Sequence, residues 1–113
     1  MRNIWKVTQG KKRSLDHVLR LCEKGDIIFL TPGEYHFPKG LGFHRMIDLE
    51  IRGIGNKPSD VVINGFFAIN GSANFSISNV TFNAPNQKNA LYINGGASVE
   101  IRNVILNGEM TCE

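Results

Sequence analysis

Apolar and polar residues alternate in short runs through the second half of the chain, a period of two that belongs to strands and not to helices. Two of these stretches superpose at a spacing of 24 residues. Residues 73–84 read ANFSISNVTFNA, and residues 97–108 read ASVEIRNVILNG. Phe75 falls on Val99, Ile77 on Ile101, Asn79 on Asn103, Val80 on Val104, Phe82 on Leu106 and Asn83 on Asn107. A second matched pair precedes them, FFAING at 66–71 and ALYING at 90–95. An earlier, more diverged copy, LEIRGI at 49–54, puts Leu49, Ile51 and Gly53 where Phe75, Ile77 and Asn79 stand. VVIN at 61–64 then matches VTFN at 80–83 and VILN at 104–107.

A fixed period in this range marks a solenoid, in which one short unit stacks on copies of itself. Every second side chain of a strand points inward. The expected interior columns are therefore Leu49/Phe75/Val99, Ile51/Ile77/Ile101, Val61/Val80/Val104, Ile63/Phe82/Leu106, Phe67/Leu91 and Ile69/Ile93. Three short strands per turn with tight corners describe a parallel β-helix. Asn79 and Asn103 fall at a corner, where Asn tolerates the left-handed backbone; Gly53 is expected to adopt it without a side chain. Stacked Asn side chains at such corners can hydrogen-bond along the column. The competing reading, ordinary two-residue hairpins at the NG dipeptides, does not require matched columns three deep.

The first quarter of the chain carries a different pattern. Ser14 is a good N-cap, and Leu15, Val18, Leu19 and Cys22 recur at helical spacing before Lys24 and Gly25 supply a stop. A β-helix has an apolar end that would template further strand pairing. A capping α-helix here, with Ile4, Trp5 and Val7 before it, is the expected lid. At the other end, residues 109–113 are too few for a second lid. The last strands are thus expected to mediate self-association, as an isologous dimer through the C-terminal coil, with Val62/Thr81/Ile105 as an apolar outward strip.

Composition changes this picture little. The 113 residues, 42% of them hydrophobic, suit one domain, with the N-terminal strand and helix in 1–24 and the coils in 25–113. No segment approaches the roughly 18 apolar residues of a membrane span. The first residues carry no secretory signal pattern, and the two cysteines, Cys22 and Cys112, suggest free thiols; a cytoplasmic location is expected. Ten of the 13 Lys and Arg lie in residues 1–52, against six of the ten Asp and Glu. Lys11, Lys12 and Arg13 form the one basic run, too short and too free of aromatics to suggest nucleic acid. The three histidines have no ligand spacing, so neither a metal nor a cofactor is expected.

Between the helix and the repeats the chain reads GDIIFLTPGEYHF at 25–37. A helix followed by GDxIxLxPGxY, LxIxGxG and NxxIxNxxF resembles the N-terminal coils of pectin-lyase-like right-handed parallel β-helix proteins. The first motif rests on Gly25, Asp26, Ile28, Leu30, Pro32, Gly33 and Tyr35. The second rests on Leu49, Ile51, Gly53 and Gly55, and the third on Asn74, Ile77, Asn79 and Phe82. The resemblance covers about residues 14–108 and implies an all-β solenoid, a right-handed parallel β-helix of three to four coils. It does not imply an activity, because lyases, hydrolases, tailspikes and proteins without known activity share that scaffold.

The acidic clusters that lyases and hydrolases of this fold use have no counterpart in register. Asp16, Asp26, Asp48 and Asp60 do not stack on one another, and no catalytic motif carries over. What remains is the outward surface. Glu50/Ser76/Glu100 and Arg52/Ser78/Arg102 form two exposed columns in which each Glu can pair with the Arg two residues on. Tyr92, in register with Ala68, is an outward aromatic able to stack on a sugar ring. The stretch FPKGLGF, with Lys39, His44 and Arg45, is read as the longest loop departing from the coil pattern. The expected function is a non-catalytic binding or assembly module with a glycan as ligand. The alternative is a carbohydrate-active enzyme, a polysaccharide lyase or glycoside hydrolase, or its N-terminal part.

Overall fold

The computed structural model describes residues 3–8, 18, 21–44, 47–71, 74–84, 89–94 and 98–112. Eleven strands follow in order: β1 Ile4–Val7, β2 Ile27–Leu30, β3 Gly33–His44, β4 Glu50–Gly53, β5 Val61–Asn70, β6 Phe75–Ser78, β7 Thr81–Asn83, β8 Asn89–Asn94, β9 Val99–Arg102, β10 Ile105–Asn107 and β11 Glu109–Cys112. Every strand pairing among them is parallel, which excludes hairpins. One sheet has the order β1-β2-β4-β6-β9. The other runs β10-β7-β5-β8-β11, with β3 also on β5. The chain is a parallel β-solenoid of about three turns.

The register is the one the repeat implies. Ile77 pairs with Ile51 on one side and Ile101 on the other, Phe82 with Ile63 and Leu106, and Leu91 with Phe67. Leu49, Ile51, Phe75, Ile77, Val61, Val80, Ile63, Phe82, Phe67, Leu91, Ile69 and Ile93 are all buried. The columns also extend upstream, where Ile28 lies beneath Ile51 and Leu30 beneath Gly53. Phe43 packs at 5.0 Å from both Phe67 and Phe75, and Phe67 at 5.1 Å from Phe82. These tilted and edge-on rings tie the two sheets across the interior.

The corners are set by residues with a left-handed backbone. Asn79 and Asn103 have φ of 57° and 53°. Asn103 Nδ2 donates to Asn79 Oδ1 at 3.0 Å, and Asn79 Nδ2 to the Gly53 carbonyl at 2.9 Å. Asn83 Nδ2 likewise donates to Asn64 Oδ1 at 3.0 Å. The expected amide ladders are present. Before the strands of the first sheet stands a further left-handed column, absent from the sequence reading: Gly25, Asp48 and Asn74, with φ of 85°, 57° and 55°.

Gly53 departs from expectation. Its φ is not positive, and it belongs to β4. It is glycine because a Cβ there would collide with the Asn79 carbonyl oxygen and press on the Val80 side chain. The wider connection after it, residues 54–60, includes a short 3-10 turn at Pro58–Asp60, where Asp60 Oδ2 accepts from the N–H groups of Asn56 and Lys57.

Three other expectations are corrected. The supposed loop FPKGLGF is strand: β3 runs through it beside β5, with a register shift between Phe37 and Leu41. Pro38 has no N–H to give the ladder, so the register shift is where it fits. Glu109–Cys112, expected as a tail, form β11 and pair with β8, so β8 is not an open edge. Thr81 does not extend an exposed strip between Val62 and Ile105; it is buried, its hydroxyl donating to the Pro58 carbonyl at 3.0 Å. The capping helix is not shown, because its residues 14–17 and 19–20 lie outside the described residues. Val18 belongs to the core cluster, Cys22 packs against it, and the Cys22 N–H donates to the Val18 carbonyl at 2.8 Å.

Gly53→Ala should cost about 3 kcal/mol in chemical denaturation, since backbone atoms of the next coil cannot move aside cheaply. Gly42→Ala, where nothing lies within 4 Å of the added methyl, should be close to neutral. Equal tolerance of both would contradict the stacking of β4 on the Asn79 corner.

Candidate functional site

Alternation along the first sheet turns one set of side chains outward. In register, these are Ile4, Ile27, Glu50, Ser76 and Glu100 in one column, and Lys6, Phe29, Arg52, Ser78 and Arg102 in the next. Apart from Lys6, the face is therefore apolar at β1 and β2, and it is polar from β4 onward. Adjacent parallel strands lie about 4.8 Å apart, so the columns are dense. Arg52 pairs with Glu50 and Arg102 with Glu100, as the spacing implied. The Arg52 guanidinium also lies over the Phe29 ring, 5.8 Å from its centroid, a cation–π contact.

Ser76 and Ser78 lie on the strand between the two Glu–Arg pairs. Their short side chains leave a notch of about 160 Å³, with Glu50 and Arg52 on one wall and Glu100 and Arg102 on the other. Beyond Glu50 the face opens into a cleft of about 480 Å³ lined by Lys24, Gly25, Asp48, Leu49, Glu50, Asn74 and Ser76. Asn74 Nδ2 donates to Asp48 Oδ1 at 2.7 Å, and the Asn74 N–H to Ser98 Oγ at 2.8 Å. The left-handed corner column thus builds one side of the cleft. Glu50 contributes to both concavities.

Glu50, Arg52, Glu100 and Arg102 are brought together as expected. Tyr92 is not with them: it lies half-buried on β8, between Ala68 and Thr111 in the second sheet. Lys39 and His44 are placed by their backbone in β3, also in the second sheet, and Arg45 lies outside the described residues. Lys24, Asp48, Asn74 and Phe29 were not among the expected site residues. Setting GDIIFL against DLEIRG at a spacing of 23 residues would have found Gly25 under Asp48 and Phe29 under Arg52.

Asp26 lies just inside this face, in the inward column otherwise occupied by Leu49, Phe75 and Val99, and is fully buried. Its Oδ1 accepts from the Asn3 N–H at 3.0 Å; its Oδ2 accepts from the Trp5 indole N–H at 2.9 Å and the Glu23 N–H at 2.7 Å. Burial disfavours its charged form, but the donors from Glu23, Trp5 and Asn3 outweigh that and hold the carboxyl below its ordinary range. Asp26 fastens β1 and the 23–25 turn to β2, and no solvent reaches it. Cys22 is no better placed for chemistry: burial, and then the Asp26 charge, push its thiol up, away from the reactive thiolate. Among the described residues no group of three or more His, Cys, Asp or Glu could hold a metal ion, and no helix is long and apolar enough to cross a membrane.

Fold and face together define a parallel β-solenoid with one polar, ion-paired sheet face. No protein-family model matches the chain, and no curated protein or solved structure matches it.

The depressed Asp26 carboxyl ties stability to pH. A group lowered in the folded state contributes fully above its ordinary value, about 4, and the contribution disappears as pH falls through the folded value. Asp26→Asn should therefore destabilise by about 2 kcal/mol at pH 7. The gap between variant and wild type in urea unfolding should shrink as pH falls below the ordinary carboxylate value, about 4, and close below the folded value. A gap independent of pH would contradict an ionised Asp26.

Proposed function

We propose that this chain is a non-catalytic binding or assembly module whose polar face receives a glycan. The observation that carries the reading is the face itself: two Glu–Arg pairs flank a Ser76/Ser78 strand, next to a cleft lined by Lys24, Asp48 and Asn74. Carboxylates, amides and guanidinium groups on a rigid sheet suit a ligand rich in hydroxyls. A strand face holds such groups at fixed spacing, so little ordering cost falls on the protein. Phe29 adds an aromatic surface beside Arg52. Tyr92 is kept as a separate contact candidate on the other sheet.

A glycosidase needs one carboxyl in a setting that retains its proton and a second that does not. Glu50 and Glu100 instead each face an arginine, which favours binding over hydrolysis. The resemblance to pectin-lyase-like right-handed β-helices supports the hand of the coil and a helical lid over residues 14–24. The buried Val18 and its bond from Cys22 agree with that lid. A cytoplasmic location rests on the sequence alone.

Binding to immobilised neutral and acidic polysaccharides, with product release assayed in the same samples, tests the reading. Retention on at least one polymer is expected, weakened about tenfold by Glu50→Gln or Arg52→Gln as charge-assisted hydrogen bonds are lost. Melting temperatures should stay within a few degrees of wild type. No retention on any polymer would overturn the glycan ligand. Product release abolished by one acidic substitution would establish the enzyme reading instead.

A further inference from the structure

The repeat breaks on its outward side in the middle coil. In register, β4 carries Glu50, Ile51 and Arg52, β6 carries Ser76, Ile77 and Ser78, and β9 carries Glu100, Ile101 and Arg102. The inward isoleucine is kept in all three coils, while the outward Glu–Arg pair gives way to two serines on β6. Keeping like charges apart within a column does not need serine. Reversing the pair on β6 would also do so, by setting opposite charges against each other on both sides. What the serines add is space: the notch of about 160 Å³ is open because β6 has short, half-buried side chains there.

We infer that this notch receives a single neutral sugar residue of the glycan, held edge-on between the two facing Glu–Arg pairs. The inference rests on the glycan reading of the face, and it adds which sugars are taken and where. Charge decides the class. Around the notch and the adjoining cleft three cations, Lys24, Arg52 and Arg102, stand against three carboxylates, Asp48, Glu50 and Glu100. A ligand of either charge would gain from one set what it loses to the other. A hydroxyl both donates and accepts, so both sets serve it. Within each pair the carboxylate and guanidinium heads are in contact, which puts an acceptor beside a donor. Two neighbouring hydroxyls of a sugar ring meet that edge with one bond donated to Glu and one accepted from Arg, both charge-assisted.

Size and direction agree. The walls are two strand spacings apart, about 9.6 Å between backbones, and side chains narrow the gap from both sides to the width of one ring. The volume is also well below the roughly 300–1,000 Å³ of pockets that enclose drug-sized ligands. The cleft of about 480 Å³ continues from the notch through Glu50 and Ser76, which line both. The next residue of the glycan therefore lies beyond Ser76, toward Asn74 and Asp48, and the chain crosses the face along β6 and not along the stacking axis. Arg52 is steadied from behind by the Phe29 ring under its guanidinium, so less side-chain ordering is left to binding.

Retention on neutral and on acidic polysaccharides, measured from about 0.01 M to about 1 M salt, tests the inference, because the screening length falls from about 30 Å to about 3 Å over that range. Neutral polymers should be retained, with affinity changing less than about twofold across the range. Ser76→Arg combined with Ser78→Glu fills the notch, keeps the net charge and gives both columns opposite-charge neighbours. That double variant should melt no lower than wild type yet bind about tenfold more weakly or worse. Arg102→Met, which keeps an apolar stem and removes the guanidinium, should weaken binding to about the same extent. Binding confined to acidic polymers and lost at high salt would overturn the neutral ligand. A filled notch or an Arg102→Met variant that binds as well as wild type would overturn its place. Either result leaves a glycan on the polar face standing, whereas no retention on any polymer would overturn the inference together with the reading beneath it.

Discussion

Each coil must turn its corners directly above the corners of the coil below, or the strands lose their register. That constraint falls on a few residues with a left-handed backbone. For a non-glycine residue this conformation costs about 1–2 kcal/mol, and Asp48, Asn74, Asn79 and Asn103 all adopt it. The cost is offset by what their side chains do. Asn103 donates to Asn79, Asn79 to the Gly53 carbonyl, and Asn74 to Asp48. An amide both fits the corner and bonds to the next one. The corner columns therefore fix the vertical alignment on which interior packing and exterior face depend.

Once the corners align, the inward side chains have no choice of neighbour. Ile sits on Ile and Phe over Leu, and a ring cluster of Phe43, Phe67, Phe75 and Phe82 fills the centre. The outward face inherits the same alignment, which is why Glu50 and Glu100 share a column with Ser76 between them. Asp26 shows how the pattern ends. In the place of a core hydrophobe stands a carboxylate that collects donors from Asn3, Trp5 and Glu23, converting a column position into a clasp for the first coil.

What the sequence made legible follows from repetition. Residues 73–108 carry two near copies, so one spacing placed Ile77 on Ile101 and Glu100 beyond Ser76. Columns containing Leu49 and Ile63 could be added because their copies, though diverged, keep apolar residues at the same phase. The upstream coil was harder to read. Ile27, Ile28, Phe29 and Leu30 are all apolar, so alternation is masked and Phe29 does not announce itself as outward. Gly53 looked like a corner because Asn79 occupies the matching place; its true reason, the approach of the Asn79 carbonyl, lies in another coil. Pro38, Gly40 and Gly42 signalled a loop, yet β5 supplies a full-length partner that draws β3 into the sheet. Four residues past Gly108 sufficed for β11, because a solenoid strand needs only the rung before it.

The account stands or falls on parallel, in-register stacking at the repeat spacing. Nuclear Overhauser contacts between backbone protons of residues 75–78 and 99–102 measure it most directly. The expected result is a set of inter-strand contacts linking residues 24 apart, Ser76 with Glu100 and Ile77 with Ile101 among them. Contacts that instead join each strand antiparallel to its neighbour in sequence, β6 to β7 or β9 to β10, would replace the solenoid with hairpins and contradict the account.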